Sequence, residues 1–111
     1  MPTTPETFHF EVESSKDAND WKLTTITCHG RLVSDTAEQL KEVVKPLISE
    51  GGHIVIDFAD LNALDSLGLG ALVGLKVSAI NKGMCKLELV NLSPRVRELL
   101  KLTHLTELFS R

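Results

Sequence analysis

The sequence has no excess of positive charge. Its 12 Lys and Arg against 15 Asp and Glu give a formal net charge of -3. Nucleic acid and anionic membranes both attract concentrated Lys and Arg, so neither is expected as a partner. No apolar run reaches the roughly 18 residues of a membrane span. The N-terminus, MPTTPETFHF, has neither the basic flank nor the apolar centre of a signal peptide, and a cytoplasmic location is expected. Cysteine is scarce: Cys28 and Cys85 stand far apart in apolar, strand-like contexts, without the close Cys or His pairing of a metal site. They read as buried free thiols. His9, His29, His53 and His104 are scattered singly through the chain, so no metal site is expected, and no histidine is placed to serve as base for a serine nucleophile. Gly68, Gly70 and Gly74 form GxGxxxG, one residue off the dinucleotide fingerprint, and no phosphate-binding Lys follows them. Nothing here points to an enzyme or to a cofactor.

What is present is enough for one ordinary domain: 111 residues, 42% of them hydrophobic, can bury a core without disulfides or metal. Met1 to Thr7 precede any apolar pattern and read as a flexible lead-in, with the domain running from Phe8 to Arg111. Phe8, Phe10 and Val12 alternate with His9 and Glu11, the period of a strand with one buried face. A polar turn, Glu13 to Asp20, leads to a second strand over Trp21 to Cys28, ended by Gly30. Ser34 or Asp35 opens the first helix, where Asp35 and Glu38 fit a capping box. Ala37, Leu40, Val43, Val44, Leu47 and Ile48 recur at helical spacing, and Pro46 is expected to kink or end the helix near Lys45. Gly51 and Gly52 supply the C-cap and turn.

His53 to Phe58, HIVIDF, is a compact apolar run of strand length, expected to be central and buried on both faces. A polar loop then delivers Asp65 and Ser66 to a second helix, which runs to about Lys82 and is stopped by Gly83. Lys86 to Val90 alternates as a further strand. Ser93 followed by Pro94 starts a third helix whose core face carries Val96, Leu99 and Leu100. Leu105, Leu108 and Phe109 are expected to pack back on the body. The order β-β-α-β-α-β-α predicts a mixed α/β fold with helices over one or both faces of the sheet.

The second helix carries more apolar surface than one core face needs. At about 100° per residue, Leu69, Leu72, Val73, Lys76 and Ile80 share one side. The opposite side carries Leu67, Gly70, Ala71, Gly74, Leu75 and Ser78, where a solvent-facing helix is usually charged. Each glycine costs about 0.5 to 1 kcal/mol relative to alanine, which suits close approach of another surface. Ser66 begins this helix. Its plain role is capping, by Asp65 or Ser66, of a free backbone N–H. Its functional reading is phosphorylation, adding about 1.5 to 2 negative charges at a helix end that favours anions. Asp65, and Asp57 or Asp60 if close, would add to a strongly negative spot. These acids read as caps, not as a Mg²⁺ cluster.

From about Trp21 to the C-terminus the sequence resembles the STAS domain of bacterial anti-sigma factor antagonists. The likeness rests on GRLVSDTAEQL at Gly30 to Leu40, HIVIDFADLNALDSLGLGALVG at His53 to Gly74, and ELVNLSPRVRELLKLTHL at Glu88 to Leu105. It implies a single STAS domain with a mixed sheet of about four to five strands and about three to four helices. It also implies that Ser66 is the phosphoacceptor, with Asp57, Asp65, Leu67 and Gly68 around it. The partner would be an anti-sigma factor with serine kinase activity, bound by the unphosphorylated form, and a serine phosphatase would reverse the modification. Docking would use the second helix together with the edge around Gly30, Ser34 and Thr36, on a monomer or weak dimer. Leu67 stands where the family often has a second Ser or Thr, and Val33 where it often has Asp. A scaffold or assembly module, and a small-ligand or nucleotide-binding domain, are the competing readings.

Overall fold

Alternation of side chains fixes the sheet, and two crossover helices fix which face is covered. The computed structural model describes residues 8–33 and 36–109, and the expected lead-in at 1–7 lies outside them. Strand β1 (Phe8–Lys16) runs antiparallel to β2 (Lys22–Leu32), from Phe8 opposite Gly30 to Lys16 opposite Lys22. The turn between them is shorter than the polar stretch Glu13 to Asp20, because Ser14 and Ser15 still pair with Thr24 and Leu23. Asp17 closes it by accepting from the backbone N–H groups of Asn19 and Trp21.

Strands β3 (Gly52–Leu64) and β4 (Cys85–Val90) continue the sheet in parallel, giving the order β1-β2-β3-β4. Parallel neighbours need crossovers, and helices α1 (Ala37–Glu50) and α2 (Ser66–Lys82) supply them. Successive right-handed crossovers in one direction put both helices on the same side, and α1 and α2 pack against each other there. Ile26 and Cys28 of β2, Ile54, Ile56 and Phe58 of β3 and Leu87 of β4 meet Leu40, Val44, Leu72 and Leu75 of the helices in one buried cluster. Thr25, Thr27, Val55 and Asp57 point the other way and are only partly buried. The HIVIDF run is therefore covered on one face, not two, because both crossovers fall on one side. Helices α3 (Pro94–Leu102) and α4 (Thr106–Phe109) complete a mixed α/β domain, and among the described residues no helix is long and apolar enough to cross a membrane.

Three further expectations are corrected. The stretch after Phe58 is strand, not loop: Asp60, Leu61, Ala63 and Leu64 pair with His29, Gly30, Arg31 and Leu32 across two register irregularities. Helix α1 begins at Ala37 with Thr36 as N-cap and no side-chain cap bond; the capping residues expected at Ser34 and Asp35 lie outside the described residues. Pro46 does not end the helix, which continues to Glu50. It is solvent-exposed, and Leu40, Val44 and Ile48 hold the opposite face in the core. The Ser93–Pro94 start is as expected, with the Ser93 hydroxyl accepting from the Val96 N–H at 3.2 Å. Cys28 and Cys85 are free thiols; Cys28 is buried, which pushes its pKa up to about 12, and Cys85 is half-buried.

The exposed, mid-helical Pro46 removes one hydrogen bond without contributing to the core. A helix-interior proline costs about 3 kcal/mol relative to alanine, offset by about 0.4 to 1 kcal/mol from the unfolded chain it stiffens. Pro46→Ala is therefore expected to stabilise the protein by about 2 kcal/mol in urea denaturation.

Candidate functional site

The start of α2 is set by one carboxylate and one glycine. Asp65 is extended, at φ -107° and ψ -178°, and its side chain accepts from the Gly68 N–H at 2.8 Å while its carbonyl accepts from the Leu69 N–H at 2.8 Å. Of the two candidate caps, Asp65 is the one used. The helix also drives into the end of β2. A Cβ built on Gly68 would lie 2.1 Å from the Leu32 carbonyl oxygen and 3.1 Å from Leu64 Cδ1. Only a residue without a side chain fits, so glycine here is a packing requirement. With cap and wedge in place, Ser66 occupies the first helical position and is exposed, and Leu67 beside it is 61% exposed.

Gly70 and Gly74 are different. Nothing lies within 4 Å of a Cβ at either position, so intradomain packing does not require glycine there. They are exposed, as are Val77 and Ser78. Leu69, Leu72 and Lys76 face the core as the helical wheel predicted. Lys76 is buried with its ammonium donating to the Leu87 carbonyl at 2.6 Å, and desolvation lowers its pKa. Ala71 and Leu75, expected on the outward side, are only 3% and 2% exposed. Packing of α1 along the flank of α2 turns the buried arc toward them and leaves Ile80 exposed. They form the floor of a groove of about 240 Å³ bordered by Lys41, Lys45, Gly74 and Ser78.

The remaining sequence candidates fall into separate roles. Gly30 sits in β2 at φ 98° opposite Leu61, two residues before the Leu32 carbonyl that meets Gly68. Thr36 is buried; its hydroxyl donates to the Arg31 carbonyl at 2.6 Å and accepts from the Val33 N–H at 3.0 Å. It holds the turn and offers no docking surface. Ser34 lies outside the described residues. Asp57 accepts from Ala59 N–H at 2.9 Å and from Asn91 Nδ2 at 3.0 Å, tying β3 to the end of β4. Between Asp57 and Leu64 the strand spans Thr27 to Leu32 of its partner, about 16 Å at the rise of a strand. Asp57 is therefore not a neighbour of Ser66, and neither is Asp60, which hydrogen-bonds His29.

Two features escaped sequence reasoning. One is an open groove of about 580 Å³ between Leu61–Leu64 of β3 and Ser93–Leu102 around α3, invisible because it depends on where α3 lies. The other is a cluster of His9, Glu11 and His29 on the open sheet face. Its only sequence signal is that His9 and Glu11 share one phase of the β1 alternation.

A family model described as STAS domain matches residues 10–111. No curated protein matches the sequence. SpoIIAA of Bacillus, an anti-sigma factor antagonist solved in unphosphorylated and phosphorylated forms, is 23% identical over 89% of this chain. The comparison covers 84% and 86% of the two SpoIIAA chains, with TM-scores of 0.70 and 0.68. An anti-sigma factor antagonist from Mycobacterium paratuberculosis is 22% identical, covering 97% of this chain and 87% of its own, at a TM-score of 0.74. A sulfate transporter family protein from Wolinella succinogenes is 21% identical over 77% of this chain and 69% of its own, at 0.66. At these identities the structural likeness is one of fold.

The cap and the wedge both act on Gly68. Gly68→Ala is expected to destabilise the protein by about 1 to 3 kcal/mol, because the backbone must shift to admit the methyl group. Asp65→Ala is expected to cost about 1 kcal/mol through the lost cap, with Asp65→Asn close to neutral. Urea denaturation of the three variants checks both.

Proposed function

We propose that this chain, which belongs to the STAS domain family, is an anti-sigma factor antagonist switched by phosphorylation of Ser66. In its unphosphorylated form it binds an anti-sigma factor with serine kinase activity. That partner phosphorylates Ser66 and releases the chain, and a serine phosphatase restores it. The chain is then a substrate and a binding module in transcription regulation, not a catalyst.

The observation that carries this reading is the exposed Ser66 hydroxyl at the head of α2, with capping done by Asp65. A phosphate there would meet the positive end of the helix, favourable by about 0.3 to 1 kcal/mol, and the neighbouring Asp65 carboxylate, which repels it. The fold has little at stake, whereas the charge of the surface changes by about 1.5 to 2 units. Leu67, Gly70, Gly74 and Ser78 form the docking strip. The open space over Gly70 and Gly74 supports this assignment, because the domain itself gains nothing from glycine at either position. Ala71 and Leu75 act only as the groove floor, and Gly30 and Thr36 shape the β2 end behind it.

Incubation with its cognate anti-sigma factor kinase and ATP should add one phosphate, located on Ser66 by mass spectrometry and absent in Ser66→Ala. Ser66→Asp should weaken partner binding at least tenfold while leaving Tm nearly unchanged. An unmodified Ser66, or a Ser66→Asp variant that unfolds, would sink the proposal. Gly70→Ala and Gly74→Ala should each stabilise the chain by about 0.5 to 1 kcal/mol yet weaken the complex, as read by calorimetry.

A further inference from the structure

The open face of the sheet carries a set of groups that the Ser66 switch does not use. The antiparallel register of β1 and β2 places His9 directly opposite His29. Glu11, two residues on from His9, projects from the same face of β1. The two imidazole rings are stacked with centroids 4.5 Å apart and an interplanar angle of 16°. One ligand atom from each of His9, Glu11 and His29 lies within 4.8 Å of the other two.

We propose that His9, Glu11 and His29 form a surface site for one divalent cation of the zinc class, with Asp60 as the positioning residue that orients His29. The chemistry of each group fits. His29 Nδ1 is hydrogen-bonded to Asp60 Oδ2 at 2.6 Å, which directs Nε2 toward the site. This is the carboxylate–histidine arrangement that accompanies metal-bound imidazole. His29 Nε2 is shielded from solvent and has no hydrogen-bond partner; the nearest carboxylate oxygen, Glu11 Oε2, is 3.6 Å away. A shielded ring nitrogen without a partner is costly unless something occupies its lone pair or its proton. Zinc bonds of about 2.0 to 2.2 Å would bring the ligand atoms to about 3.4 Å from one another. The site must contract by up to about 1.4 Å, and His9 and Glu11 both lie exposed on the edge strand, where such a movement disturbs no core packing. Two imidazoles and a carboxylate leave the fourth tetrahedral position to water.

The competing occupant of Nε2 is a proton. The Asp60 hydrogen bond raises the His29 pKa, helped by the charges of Asp60 and Glu11 and opposed by desolvation. In acid the ring is an imidazolium between two carboxylates. Binding the cation requires Nε2 to be free of that proton. Because β1 is an edge strand, the bound cation would also fasten it to β2.

The test is titration of the full chain with Zn²⁺ by calorimetry at pH 7.5 in a non-chelating buffer, with thermal unfolding read in parallel. One Zn²⁺ per chain is expected, together with a raised Tm that EDTA reverses. His9→Ala and His29→Ala should each weaken binding at least tenfold, and Asp60→Asn about 10- to 100-fold. His53→Ala alters a histidine paired instead with Glu88 at 2.8 Å, and should leave affinity unchanged. His9 is exposed, so loss of binding in His9→Ala with an unchanged metal-free Tm separates ligation from folding. No binding to the parent chain, binding that survives in the His9→Ala/His29→Ala double variant, or binding lost in His53→Ala would each overturn the proposal.

Discussion

The contact of Gly68 with the Leu32 carbonyl is the constraint on which the rest of the arrangement depends. It lets the first turn of α2 approach the end of β2 more closely than any side chain would permit. The Asp65 carboxylate, accepting from the Gly68 N–H, fixes the same residue from the other side. Together they set both the position and the rotation of α2. Rotation decides which residues are buried, because one position along a helix is about 100°. Ser66 and Leu67 are exposed, and Gly68 and Leu69 are not, for this reason. The tail of β3 is part of the device: pairing of Ala63 and Leu64 with Arg31 and Leu32 carries the chain to the point where Asp65 can cap.

The same one-sided layering that builds the core leaves a sheet face without a helical cover, and the polar side chains there settle their charges with one another. His53 sits between Glu88 and Asp17. Its hydrogen bond, foremost, lowers the Glu88 pKa against the opposing effect of burial. His29 sits between Asp60 and Glu11. The two sets differ in geometry. His53 reaches one carboxylate at hydrogen-bond distance through Nε2, whereas His29 uses Nδ1 and leaves Nε2 3.6 Å from the Glu11 carboxylate.

Features fixed by near neighbours in the chain were legible in the sequence. The Ser93–Pro94 helix start, the Asp65–Ser66 entry into α2, the Gly51–Gly52 turn and the burial of Lys76 on the side of Leu69 and Leu72 all follow from capping or period, which act over a few residues. Features fixed by distant partners were not. Whether Ala71 and Leu75 face outward depends on α1, some thirty residues earlier by the helix's own position (Ala37–Glu50). The strand character of Asp60 to Leu64 depends on β2 offering unpaired backbone. Asp57 resembled a neighbour of the serine only while the intervening stretch was read as a loop that could fold back; as a strand it holds them apart. The meeting of His9 and His29 is set by the β1–β2 register, which a turn closed by Asp17 decides and composition does not reveal.

The division between Gly68 and the pair Gly70 and Gly74 bears on why a phosphate at Ser66 would act on binding and not on folding. Within the domain, the phosphate's attraction to the helix end and its repulsion from Asp65 are opposed, both exposed, and both screened by solvent. Neither reaches the Gly68 wedge, which is steric and insensitive to charge. In a complex the balance is different. A partner lying flat on Gly70 and Gly74 would strip water from the head of α2, and an ionised group taken out of water costs several kcal/mol unless a counter-charge meets it. The proposed modification would therefore be nearly silent in the free chain and costly in the bound one. That asymmetry arises from placing the serine one residue after the cap and two before the wedge: outside the rigid contact, and at the rim of the surface that glycine keeps flat.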